Sequence, residues 1–222
     1  MASALLRFGR IKGVSRPAIA IMVPAGDRHQ LLVDGGATVD CSAEWLVQFA
    51  QMGRAYARVR FGIAEPTVGL LSNGSESGKG DALRKEAFAL LADTKGFVGN
   101  VEGRDLMTGH PDVVVTDGFS GNLVLKTAEA SVRAVADVVF AVLADPEVKE
   151  AAAVILPRLL EAAAPFDPDN TGGAVLLGVD GVCVISHGAS SATAIVNACR
   201  VAADAVRSDV VGLLKGAITD AG

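Results

Sequence analysis

The sequence predicts an α/β protein: a mostly parallel, doubly wound sheet with helices on both faces and a projecting helical hairpin near residues 134–166. Three observations lead there. Short apolar runs of strand length alternate with longer stretches whose apolar residues recur every three or four positions. Glycine-bearing loops stand between the end of a run and the start of the next helix. Half of the 222 residues are hydrophobic and 20% are charged, which suits one sizeable core and argues against disorder.

Taken in order, the opening residues carry Arg7, Arg10, Lys12 and Arg16 with no acid before Asp27. They read as part of a helix, not as a transit peptide, because they run straight into strand-like sequence. Pro17–Pro24 is an apolar run between prolines, a buried strand, and Gln30–Val33 follows as another. Ala43–Arg60 places Trp45, Leu46, Phe49, Met52 and Tyr56 at helical spacing, as core contacts. Thr67–Leu71 is a strand, Ser72–Gly80 a glycine-rich loop, and Asp81 to about Asp93 a helix. Phe97–Val101 and Asp112–Thr116 are strands, the second feeding a turn at Asp117–Gly121 and a helix to about Leu143. Glu147–Ala163 is a further helix, 167–173 a loop, Val182–Ser186 a strand, and His187–Ser191 leads into a last helix to about Leu214. Residues 134–166 are alanine-rich, helical and lack a strand, which is why they are expected to project.

Several function classes are excluded at this level. A net charge of −5 offers no basic field for nucleic acid. No apolar run reaches the roughly 18–20 residues of a membrane span. Three widely spaced cysteines, with no CxxC pair, read as small apolar fillers in a reducing compartment. No GxGxxG occurs, and Ser72–Gly80 departs from a phosphate-binding P-loop in both its glycine spacing and the Gly80 that follows the lysine. The serine of Gly118–Asn122 lacks the second glycine of a nucleophile elbow.

In open parallel sheets ligands gather at the carboxyl ends of the strands. Three strand–loop–helix junctions put polar residues there: Ser72–Gly80, Asp117–Asn122 and His187–Ser191. Each precedes a helix whose first amides are unpaired and partly positive, a setting for an anion. Gly74, Gly78, Gly80, Gly118 and Gly121 would let backbone approach an oxyanion, or simply make tight turns, and Asn73 in the first of these loops is a further substrate-binding candidate. Lys79, between two glycines just before a helix, would neutralise a phosphate or stand as a solvated surface lysine. Asn122 would donate to a developing oxyanion or cap its helix. Asp117 would orient Lys79 or cap the same helix, and Lys126 would reach the same crevice or, the preferred reading, lie in solvent. His187 would protonate a leaving thiolate or serve the structure alone; Ser190 would bind phosphate or cap the last helix.

Seven segments then resemble one family in order and spacing: 31–41 (LLVDGGATVDC), 46–53 (LVQFAQMG), 68–81 (VGLLSNGSESGKGD), 96–106 (GFVGNVEGRDL), 112–127 (DVVVTDGFSGNLVLKT), 172–178 (GGAVLLG) and 187–191 (HGASS). Together they are similar to the bacterial phosphate acyltransferase (PlsX) family. The resemblance departs at Asp34–Asp40, where the family usually reads DVGANVD, and at Asp81, where it often has asparagine. The family's opening segment is not matched, so residues 1–222 are expected to form one α/β acyltransferase domain lacking it.

The resemblance implies a fold similar to isopropylmalate dehydrogenases and phosphate acetyltransferases. It implies transfer of a fatty acyl group from acyl carrier protein to inorganic phosphate, with Lys79 and Asn122 catalytic, no cofactor and no metal. It further implies a cytoplasmic homodimer in peripheral contact with the membrane, working beside downstream enzymes of acylglycerol-phosphate synthesis. A phosphate acetyltransferase-like enzyme using acyl-CoA, and a non-catalytic remnant that binds phosphate or acyl-phosphate, remain open.

Overall fold

The computed structural model describes residues 1–26, 28–186, 188 and 190–219. In chain order these form α1 (Ala2–Phe8), β1 (Ala18–Ala25), β2 (Arg28–Val33), α2 (Ala43–Phe61), β3 (Val68–Leu71), α3 (Ala82–Leu91), β4 (Phe97–Val101) and β5 (Val113–Val115). There follow α4 (Gly118–Leu143), α5 (Lys149–Ala163), α6 (Pro168–Thr171), β6 (Ala174–Leu177), β7 (Val184–Ile185), α7 (Ala192–Arg207) and α8 (Val210–Thr219).

The strands form one sheet in the order β4-β3-β5-β2-β1-β6-β7. Pairing is parallel from β4 through β2 and antiparallel from β2 through β7. Five of the seven described strands therefore point one way, with β1 and β7 reversed. Pro24 is tolerated inside β1 because β6 pairs only with Ala18–Ala20, so its missing N–H lies beyond that ladder.

Side-chain alternation along the central strands makes two cores. Leu31, Val33, Val68, Leu70, Val113 and Val115 face α2, where Leu46, Phe49, Met52 and Tyr56 meet them. Leu32, Leu71 and Val114 face the other way, toward Val124 and Leu125 of α4. α8 and α3 flank α2 on the first face, and α1 covers the β6 side of the second through Ala4. Trp45 is the exception among the expected core residues of α2: it is half-buried, with the Arg16 guanidinium 5.0 Å above its ring.

The hairpin does project. Only Gly118 and Gly121 of the 26 residues of α4 are buried, and only Ala152 of α5. Four expectations need correction. β6 lies in the stretch Gly172–Gly178, which carries no alternation by which to read it as a strand. The expected loop 167–173 contains the short α6. The single last helix is two, broken at Asp209, which adopts φ 48°. Cys199 is exposed, so of the expected buried fillers only Cys41 and Cys183 are even half-buried.

Candidate active site

The parallel strands β3, β5 and β2 are neighbours, so the loops leaving their carboxyl ends meet along one edge. The loop after β3 is shaped by its own side chains. Asn73 Oδ1 accepts the Gly80 amide at 2.8 Å, and Asn100 Nδ2 from β4 holds the Glu76 carbonyl at 2.8 Å. Gly80 takes φ 95°, a left-handed value that a side chain disfavours. Gly74 is buried beneath the aliphatic stem of Lys79, whose Cγ would lie 2.7 Å from any Cβ there. Lys79 is exposed and, among the described residues, makes no ion pair.

After β5, Asp117 caps α4 by accepting the Ser120 amide at 2.8 Å. It also binds Arg84 of α3, whose guanidinium reaches Asp81 at 2.9 Å, Ser120 Oγ at 2.9 Å and Thr116 Oγ1 at 3.4 Å. Arg84 thus ties the head of α3 to the head of α4. Burial pushes the Asp117 carboxyl up, but the Ser120 amide and the Arg84 charge outweigh it and hold its pKa below the ordinary value. Asp117 is therefore engaged by Arg84, a residue the sequence reading passed over, and not by Lys79.

After β2, Asp34 is fully buried, and its carboxylate gathers the amides of Ile19, Gly36, Ala37 and Thr38 at 2.7–3.1 Å. Burial raises its pKa and these four donors pull the other way. This loop carries the polypeptide against α4: the Gly118 amide donates to the Thr38 carbonyl at 2.7 Å, and any Cβ on Gly121 would drive into the Asp34 carbonyl. Close by, burial with the Asp34 and Asp117 carboxylates pushes the Cys41 thiol up to about 12, leaving it protonated and inert.

Between the first two loops lies a cavity of about 460 Å³ walled by Ser72, Asn73, Gly80, Arg84, Gly103 and Ser120. The Ser72 hydroxyl is buried and, among the described residues, has no hydrogen-bond partner. An unanswered buried hydroxyl at a cavity wall is a place for a ligand's oxygen.

Several expectations change here. The amides of Gly80, Gly118 and Gly121 are already engaged, so these glycines serve close packing and not anion contact; those of Gly74 and Gly78 make no hydrogen bond among the described residues. Asn122 is not a cap, since Asp117 fills that role; it is exposed in the first turns of α4, beside Gly36. Ser190 and Ser191 do not join this edge. β7 runs against β6 and ends beside Ala174, the first residue of β6, at the opposite edge of the sheet. Ser190 leaves from there, and Ser191 caps α7 in its place. His187 lies outside the described residues. The loop after β2 supplies the third wall instead.

Removing the Asp117 carboxylate tests this frame. Asp117→Ala leaves Arg84, only 12% exposed, with Asp81 as its one acidic partner, and α4 uncapped. It is expected to destabilise the fold by about 3 kcal/mol, the low end for breaking a buried pair, seen as a lower urea midpoint. Because its folded pKa is lowered, Asp117 contributes fully above the ordinary carboxylate range and loses that contribution as pH falls through it. Asp117→Asn should accordingly flatten the acid limb of stability; an unchanged limb would assign it to other groups.

Comparison with known proteins adds the following. Residues 1–213 match the family model described as "Fatty acid synthesis protein". The chain is 46% identical to the phosphate acyltransferase of Halothermothrix orenii, covering 100% of this chain and 68% of that protein. It is 45% identical to that of Elusimicrobium minutum, covering 99% and 65%, and 44% identical to that of Thermobifida fusca, covering 99% and 61%. The chain thus spans about two thirds of the length of the relatives it matches. A branched-chain phosphotransacylase from Enterococcus faecalis superposes with a TM-score of 0.56 at 15% identity, over 93% of this chain and 70% of its own. A phosphotransacetylase from Streptococcus pyogenes does so at 0.52 and 15%, over 98% and 59%. Both share the fold.

Proposed function

Because this chain belongs to the fatty acid synthesis protein family, whose curated relatives are phosphate acyltransferases, we propose that it transfers a fatty acyl group from acyl carrier protein to inorganic phosphate. One observation carries the reading: the Lys79 loop and the Asn122 helix leave adjacent parallel strands at the same edge, next to a cavity with the unanswered Ser72 hydroxyl. Phosphate sits there, neutralised by Lys79 and bonded by Ser72 and the open amides of the glycine loop. One phosphate oxygen attacks the thioester carbonyl, forming the new C–O bond. Asn122 donates to the tetrahedral oxyanion. The C–S bond breaks as the carbonyl re-forms, and the thiolate leaves and takes a proton from solvent. Holding both reactants in line supplies a large share of the rate.

The carrier protein is acidic, and this chain is itself net negative, so attraction must be local. Lys79 and Lys85 stand exposed at the active edge. A second copy of the chain and the membrane surface are the partners proposed for the projecting hairpin, where Val135, Val138, Phe140, Val142, Ile155 and Leu160 are exposed. Among the described residues no helix is long and apolar enough to cross a membrane.

The deciding experiment assays phosphate-dependent acyl-phosphate formation from palmitoyl thioesters of acyl carrier protein and of coenzyme A side by side. Preference for the carrier thioester is expected. Preference for coenzyme A would point to a phosphate acetyltransferase-like enzyme, and no product from either would leave a binding protein. Light scattering and liposome flotation of the same preparation should give a dimer that floats, with both properties weakened by Phe140→Glu; a monomer that stays at the bottom would remove these partners.

A further inference from the structure

On the other side of α4 from the phosphate cavity lies a second cavity of about 430 Å³, between α4, β1 and the turn after α5. Its floor is apolar: Ile21 and Val23 from β1, then Leu125, Ala128 and Val132 from α4, with Phe166 from the turn after α5. The charged groups Glu129, Arg133 and Asp167 also border it.

Its position decides what it holds. Asn122, Leu125, Ala128 and Val132 recur at three- and four-residue steps, so they share one face of α4. Asn122 stands at the head of that face, against Gly36. Beside Gly36, a Cβ on Gly35 would strike the Ile21 side chain, so Ile21 lies directly under the loop that meets Asn122. On α4 the cavity therefore begins at Leu125, one turn below Asn122, and runs away from it down the helix. From Asn122 to Val132 the helix rises about 15 Å. A chain of carbon–carbon bonds near 1.5 Å advances about 1.25 Å per methylene when extended, so this length takes about twelve methylenes.

We infer that this cavity is the acyl-chain channel of the enzyme: the thioester carbonyl lies at Asn122, the chain lies along α4 against β1, and Val132 sets the preferred chain length. This rests on the acyl-transfer reading above, which by itself says nothing of where the chain lies. Phosphate and chain then occupy opposite sides of α4 and meet only at its head, which keeps the anion away from the apolar wall.

The test uses Val132→Trp, partly exposed and able to accept bulk, and Ala128→Trp, which closes the channel nearer the head. The readout is the ratio of turnover on palmitoyl to that on butyryl acyl carrier protein, with palmitate binding by calorimetry as a second readout. The ratio is expected to fall at least about tenfold in Ala128→Trp, as poor fit of methylenes in an apolar slot does, and less in Val132→Trp, with palmitate binding weakened in the same order. A ratio unchanged in both folded variants overturns the channel while leaving the reaction intact. So does an equal loss on both substrates, or a change in oligomeric state alone, which would make this face a contact between copies. If the wild type transfers no acyl group yet binds palmitate, and both variants weaken that binding, the reaction falls and the channel stands. If Ala128→Trp does not fold, Val132→Trp decides alone.

Discussion

Lys79→Ala is expected to abolish phosphate-dependent acyl transfer while leaving the melting temperature in place. The side chain is exposed and makes no ion pair among the described residues, so the fold loses little beyond its contact over Gly74. Surface changes of this kind usually stay within about 0.5 kcal/mol. The reaction has no substitute for it. The neighbouring cation, Arg84, is held by Asp81 and Asp117, and its charge is largely answered before phosphate arrives. Initial rates against phosphate concentration, with a thermal melt of the same sample, separate the roles. Retained turnover with a lowered melting temperature would make Lys79 a structural residue. Lys79→Arg should recover part of the rate, since the charge returns in a different shape.

Asn122→Ala should lower kcat by roughly 10²–10³-fold, the measured range for removing one oxyanion donor. Stability should barely change, because Asp117 and not Asn122 caps α4 and because the Asn122 side chain is exposed. Phosphate KM should move little, since the donor acts on the carbonyl oxygen as charge develops there and not on bound phosphate. Near-normal turnover would remove Asn122 from the chemistry. A large rise in phosphate KM at unchanged kcat would instead make it part of the phosphate site.

The central strands were legible because their residues are of one kind over strand length. Val113–Val115 is buried on both faces, and a β-branched run of that kind reads as a strand before the fold is known. The helix over Ala43–Phe61 was legible through the spacing of Leu46, Phe49, Met52 and Tyr56. β6 was hidden because Ala174–Leu177 holds one β-branched residue, Val175, in a run too short to tell strand from helix. Arg84 was hidden because nothing in its position along α3 distinguishes it from Lys85, which faces solvent; only the packing of α3 beside α4 points one inward and the other out.

By itself the sequence determined which loops are able to leave strand ends with glycine, lysine and asparagine in reach of an anion, because composition and spacing are local properties. It also determined the family, through the joint match of segments spread along the chain. Only the tertiary structure decided which of those loops share an edge. The stretch that follows β7 matches the other two in sequence, but β7 runs against β6 and ends away from this edge, and the 34–38 loop takes its place because β2 lies beside β5. Strand direction is fixed by hydrogen bonds between segments far apart in the chain, and no local pattern of residues records it.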